Sequence, residues 1–248
     1  MSKISHTADQ YRRKFLTGIA GAAAAITIAP GVLLRQVEAA PKAADAAVTD
    51  SVRWGMLVIT SKLTDGGDKV VQACKKEHGW GDEKHSSTEQ QTQWVRKVKV
   101  TEKLTKHSFE LPVMCQHCET APCEDVCPTG ASFKRADGIV LVDKHLCIGC
   151  RYCMMACPYK ARSLVHEALQ DQKAYSPRGI GTVESCNMCV HRVDEGRKPA
   201  CVEAEPQAMI FGDLNDADSD ISKTLQKFGG KQIRADLGLN TGVRYHGI

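Results

Sequence analysis

The stretch that decides the fold is Cys115-Gln116-His117-Cys118-x4-Cys123-x3-Cys127-Pro128, followed after a short spacer by Cys147-Ile148-Gly149-Cys150-x2-Cys153-x3-Cys157-Pro158. Each run packs three cysteines into one tight loop and carries a fourth off just before a proline. Soft thiolates gathered this way suit an iron–sulfur cubane, which needs four of them converging on its corners. Zinc is the plainer alternative, because Cys-x2-Cys pairs are common zinc ligands. Two pairs would satisfy zinc, however, and leave the third and fourth cysteines and the proline of both runs unexplained. Disulfides fit worse, since cysteines so close in sequence would be shared among strained loops.

Two such runs in tandem resemble the bacterial-type ferredoxins that hold two [4Fe–4S] clusters. For that spacing the fourth cysteine of each run ligates the cluster of the other run. One cluster is then expected on Cys115, Cys118, Cys123 and Cys157, the other on Cys147, Cys150, Cys153 and Cys127. The crossing makes each cluster a staple between two halves of one fold.

Upstream, Tyr11-Arg12-Arg13-Lys14-Phe15-Leu16 precedes an uncharged, Ala/Gly-rich stretch to Leu34, and Val37-Glu38-Ala39 offers small residues for cleavage after Ala39. Adjacent arginines before a mildly apolar region read as a twin-arginine signal over residues 1–39. A retained membrane anchor is the alternative, weakened by Gly18, Gly21, Pro30 and Gly31. Cluster loading and signal support each other. Ligation folds the protein where iron is supplied, and the twin-arginine route carries folded cargo. Thiolates committed to iron are also safe from oxidation in a periplasm.

The net charge of +4 is misleading, because residues 1–39 contribute five Lys/Arg against Asp9 and Glu38. The remaining 28 basic and 27 acidic groups nearly balance, so nucleic-acid binding has no support. Residues 40–51 read as a linker and 52–248 as the folded domain. Within it, Trp54 to Ile59 reads as a buried strand and Val70 to His78 as a helix stopped by Gly79. Residues 94–111 read as strands whose basic cluster (Arg96, Lys97, Lys99, Lys103, Lys106) is either a solvated face or a dock for an acidic partner. Asp137-Gly138 between two β-rich runs signals a hairpin. Residues 162–182 read as a long loop, Asp216 to Phe228 as an amphipathic helix, and the tail to Ile248 as irregular. The expected class is α+β, with tandem ferredoxin-like modules and β-hairpin insertions.

A third run, Cys186-x2-Cys189-x11-Cys201-x3-Glu205-Pro206, puts glutamate where the others have cysteine, and Cys74 stands alone upstream. Here the chain resembles, over roughly residues 52–248, the four-cluster electron-transfer subunits of the dimethyl-sulfoxide-reductase and NrfC-like family. In that family a first cysteine run pairs with a fourth one spaced like 186–205, and the central run lies between them. Placing Cys74 as the last member of the first run puts the other three at Thr64, Gly67 and Val70. The resemblance then implies that one cluster, on positions 64, 67, 70 and 205, has been lost whole. Its companion on Cys186, Cys189, Cys201 and Cys74 is kept whole. Twelve cysteines make three complete [4Fe–4S] sites. The alternatives are a free Cys74 beside a three-cysteine cluster, or a zinc site. Glu205 reads as a bystander. His117 and His145 are candidates to tune a cluster through hydrogen bonds, against ordinary packing, and Tyr152, Met154, Met155 and Tyr159 to exclude water from it.

The family resemblance implies an electron-transfer subunit with no catalytic residues and no small-molecule substrate of its own. Its partners would be an integral-membrane quinone-interacting subunit and a multihaem cytochrome c or other redox subunit. The lost site is the one that faces a molybdenum subunit in the family, which argues against such a partner. Arg53-Trp54-Gly55-Met56-Leu57, Arg178 to Cys186, and Lys198-Pro199-Ala200-Cys201-Val202-Glu203 are most similar to the periplasmic subunits of sulfite-reductase-associated membrane complexes. Nitrite-reductase-associated subunits come next. A stand-alone iron–sulfur enzyme, and clusters serving only as folding staples, are the readings from other classes.

Overall fold

A computed structural model describes residues 48–81, 84, 90–101, 103, 104, 106, 108–170 and 172–248. The expected signal and most of the linker lie outside these residues. Among the described residues no helix is long and apolar enough to cross a membrane.

Strand β1 (Trp54–Ile59) is the axis of the main sheet. It pairs antiparallel with β8 (Met209–Asp213), Met56 opposite Phe211, and parallel with β9 (Val243–His246), Met56 opposite Val243. Alternation divides its side chains between two faces. Met56 and Val58 join the main core, while Leu57 and Ile59 pack with Ile221 of the C-terminal helix. Each such fully buried aliphatic side chain contributes about 1.5–3 kcal/mol. Gly55 is required at the close approach, since a Cβ there would lie 2.5 Å from the Leu214 side chain.

Helix α1 (Asp68–His78) ends on Gly79, whose left-handed φ of 64° lets its N–H close onto the Lys75 carbonyl. Its inner face is Val70, Cys74 and His78, spaced four apart. Strands β2 (Val95–Thr101) and β3 (Ser108–Met114) form an antiparallel ribbon, and β4 (Ser132–Lys134) and β5 (Val140–Val142) form the hairpin around Asp137-Gly138. The ribbon's basic cluster is partly used at home. Lys97 pairs with Asp68 at 2.7 Å and Arg96 donates to the Tyr159 carbonyl at 2.8 Å.

Four one-turn helices serve the cysteine runs: α2 (Pro122–Asp125), α3 (Tyr152–Ala156), α4 (Val190–Asp194) and α5 (Ala200–Ala204). Helix α6 (Asp220–Phe228) starts on a Ser219 cap that accepts from the Ser222 N–H, four residues later than the amphipathic pattern places it.

Two expectations need correction. The long loop at 162–182 is bounded by β6 (Ser163–Leu164) pairing with β7 (Val183–Glu184), so its ends are tied together. The tail is not irregular: β9 buries Val243 and Tyr245 completely against β1. A four-residue parallel strand between two glycines has too little pattern of its own to be read locally.

Candidate functional site

None of the twelve cysteines is paired in a disulfide. Their electrostatic neighbourhoods link them in overlapping sets, with Cys186 also near Cys115 and Cys123 also near Cys153. Cys115 interacts with Cys123 and Cys157, and Cys118 with the same two. Cys153 interacts with Cys147 and Cys127. A narrow cavity is lined by Cys127, Cys147, Cys150 and Cys153 together, with Ser132 and Arg151 on its wall. Cys74 interacts with Cys189 and Cys201, and Cys186 with Cys74, Cys201 and Cys189. Residues far apart in sequence, Cys74 and Cys189 above all, are therefore neighbours.

Local backbone explains how short loops aim several sulfurs inward. His117, Gly149, Arg151, Met188 and Cys189 all have left-handed φ between 45° and 69°, which turns the chain sharply between consecutive ligand positions. Backbone amides donate to sulfur: Ser132 to Cys127 at 3.3 Å, Val183 to Cys147 at 3.4 Å, Ala161 to Cys157 at 3.5 Å, and the left-handed Met188 to Cys186 at 3.4 Å.

Helix α1 is clamped over the third group by ion pairs. Glu77 meets His191 at 2.8 Å and Arg192 at 3.1 Å, and Arg192 also pairs with Glu203. Two side chains then reach the sulfurs. Trp80 donates its indole N–H to Cys74 Sγ at 3.2 Å, and His78 Nε2 lies 3.2 Å from Cys189 Sγ while its Nδ1 meets the Ser176 hydroxyl at 2.9 Å. Burial pushes the His78 pKa down to about 3, so the ring is neutral. The neutral ring carries one proton, and in the tautomer whose Nδ1 accepts from the Ser176 hydroxyl the Nε2–H is directed at sulfur.

The donor set fits a thiolate-bound metal group. Burial pushes Cys118 up to about 12 and Cys189 to about 11, and raises Cys74, Cys186 and Cys201 further, each crowded by its neighbours. Only a bound cation that replaces the protons allows four thiolates there. A single zinc ion would hold its sulfurs about 3.8 Å apart, from a 2.3 Å bond and tetrahedral geometry. Among the described residues no three His, Cys, Asp or Glu side chains are gathered for a single ion. Buried donors without a protein partner complete the fit: His117 Nε2, whose Nδ1 accepts from the Val140 N–H at 3.0 Å, and Arg162 Nη1.

Two of the positions read as a lost site meet: Thr64 donates to Glu205 at 3.1 Å, and Lys69 approaches the same carboxylate at 3.9 Å, while Gly67 and Val70 are buried. Of the side chains weighed as water-excluders, Tyr159 is buried and faces Cys118, whereas Tyr152 and Met155 are exposed. His145 is exposed and its side chain reaches no sulfur. Sequence reasoning missed His78, Trp80, Glu77 and Arg162. Only the proximity of His78 and Trp80 to Cys74 offered a signal.

A family model described as 4Fe-4S dicluster domain matches residues 106–214. The Hdr-like menaquinol oxidoreductase iron-sulfur subunit 1 of Archaeoglobus fulgidus is 37% identical over 94% of this chain and 97% of its own length. Protein NrfC of Escherichia coli K12 is 33% identical over 92% of this chain and 91% of its own. The arsenate respiratory reductase iron-sulfur subunit ArrB of Shewanella sp. ANA-3 is 30% identical over 78% of this chain and 96% of its own.

Proposed function

This chain belongs to the iron–sulfur electron-transfer subunits of multi-subunit respiratory oxidoreductases, and from that membership we propose that it is a three-cluster relay working outside the cytoplasm. Its ligand quartets are Cys115/Cys118/Cys123/Cys157, Cys147/Cys150/Cys153/Cys127 and Cys186/Cys189/Cys201/Cys74. When bound, each cubane takes up and returns one electron. The protein's part is to hold the three close, keep water from two of them and shape the field around all three.

The order of the quartets supports a wire. Cys186 neighbours Cys115, and Cys123 neighbours Cys153, so the 115 quartet stands between the other two. Cys150 is exposed, and Leu146, Ile148, Tyr152 and Met155 around it are exposed as well. That end is suited to a partner that covers an apolar collar.

The chain is exported folded by the twin-arginine route and sits between a multihaem cytochrome c and an integral-membrane quinone-interacting subunit. Its role is that of the periplasmic DsrO-type subunit in dissimilatory sulfur metabolism. Resemblance to NrfC over nearly the whole chain supports the nitrite-reductase-associated role as second reading. Co-purification from native membranes separates the two by the partners recovered.

The observation that carries the three-cluster reading is Cys74 set against Cys189 and Cys201, while Thr64 and Glu205 close on each other. The test is iron and sulfide analysis of the purified full chain. About twelve iron atoms are expected, falling by about four in Cys74→Ser. Unchanged iron in that variant removes Cys74 from the ligand set.

A further inference from the structure

Arg162 lies five residues past Cys157 and is 5% exposed. Its Nη2 donates to Cys123 Sγ at 3.0 Å, and the side chain also interacts with the Cys153 sulfur. Those two sulfurs belong to different quartets. Nη1 is buried and has no protein partner, and among the described residues no carboxylate forms an ion pair with Arg162. Its electrostatic neighbours are Cys123, Cys115 and Cys153.

A buried cation without a counter-ion is costly, and a guanidinium cannot shed its proton to escape that cost. The compensating negative charge must come from the thiolate-bound groups on either side. Arg192, the arginine nearest the Cys74 quartet, is the contrast: Glu77 and Glu203 already neutralise it.

Resting on the cluster assignment above, we infer that Arg162 is a charge bridge which holds two of the three clusters, those on the 115 and 147 quartets, at raised reduction potential. Each electron that arrives adds one negative charge beside the guanidinium, so the reduced form gains more than the oxidised form. The same charge offsets repulsion when both neighbours are reduced. The Cys74 quartet does not touch Arg162 and serves as the internal reference.

The test is an EPR-monitored redox titration of the full-length protein as wild type, Arg162→Gln and Arg162→Lys, each with its iron content. In Arg162→Gln two midpoint potentials fall together. Held at the wild-type midpoint, their reduced-to-oxidised ratio drops by about tenfold, and the third potential stays. Arg162→Lys keeps the charge and holds the two potentials near wild type. Full iron with unmoved potentials in Arg162→Gln, or an equal fall of all three, overturns the inference. Where Arg162→Gln fails to load, Arg162→Lys decides. Full iron with retained potentials supports the bridge, while full iron with both lowered, or loss of iron again, overturns it. Wild-type protein with fewer than two clusters would instead defeat the assignment underneath.

Discussion

Trp80 shows how much one donor can matter at a buried sulfur. Its indole N–H reaches Cys74 Sγ at 3.2 Å in a site where Cys74 is 4% exposed. A hydrogen bond to a charged acceptor contributes roughly 1–2 kcal/mol, and it favours the more negative, reduced state. Trp80→Phe keeps the ring and removes the donor. It should lower the potential of one cluster by about 40–80 mV, given about 59 mV per tenfold for one electron, with iron content unchanged in a parallel assay. Glu205 makes the opposite case. Glu205→Gln preserves an acceptor for the Thr64 hydroxyl, so iron should stay at the wild-type count and stability shift by less than about 1 kcal/mol. Loss of iron in that variant identifies Glu205 as a ligand after all.

At the scale of elements, the loop Cys147-Ile148-Gly149-Cys150 depends on its glycine. Gly149 has φ +69°, and a Cβ there would stand 2.2 Å from the Gly181 carbonyl oxygen. Gly130 has nearly the same φ, +67°, with nothing within 4 Å. Gly130→Ala should therefore cost only the conformational penalty, about 1 kcal/mol. Gly149→Ala must also push the Gly181 turn away from the loop, and should lose iron from the proposed Cys150 cluster in addition to a larger fall in Tm. Equal effects would show that the contact is not what fixes the loop. This loop, the Asp137-Gly138 hairpin and the Gly79 helix stop are all legible in the sequence, because a short motif dictates each one locally. β9 is not, because its partner β1 lies at the far end of the chain and four residues carry no period. Arg162 is invisible for a related reason: nothing about an arginine after Cys-Pro announces burial, and only the fold removes its counter-ions. The nearness of Cys74 to the 186–201 run is legible only through the family resemblance, because no periodicity or spacing in this sequence links two stretches so far apart.

Across the whole molecule the three proposed quartets differ most in their access to water. Cys74, on the inner face of α1, and Cys189 and Cys201 are each no more than 5% exposed, and Glu77 pins that helix to His191 and Arg192. The 147 quartet is open by comparison: Cys150 is exposed and Cys127 and Cys147 are half-buried. Oxidant and chelator reach a cluster only through its exposed face, so susceptibility follows access. Air oxidation with a chelator present should release iron in at least two phases. About a third of the total leaves first, as expected for one cubane of three, while the EPR signal that Cys74→Ser abolishes survives longest. Arg192→Ala, which cuts the clamp on α1 without touching a sulfur, should shorten the life of that last phase and leave the first unchanged. Release in a single phase would mean that the quartets share one opening event, and that the exposed collar around Cys150 is not where solvent enters.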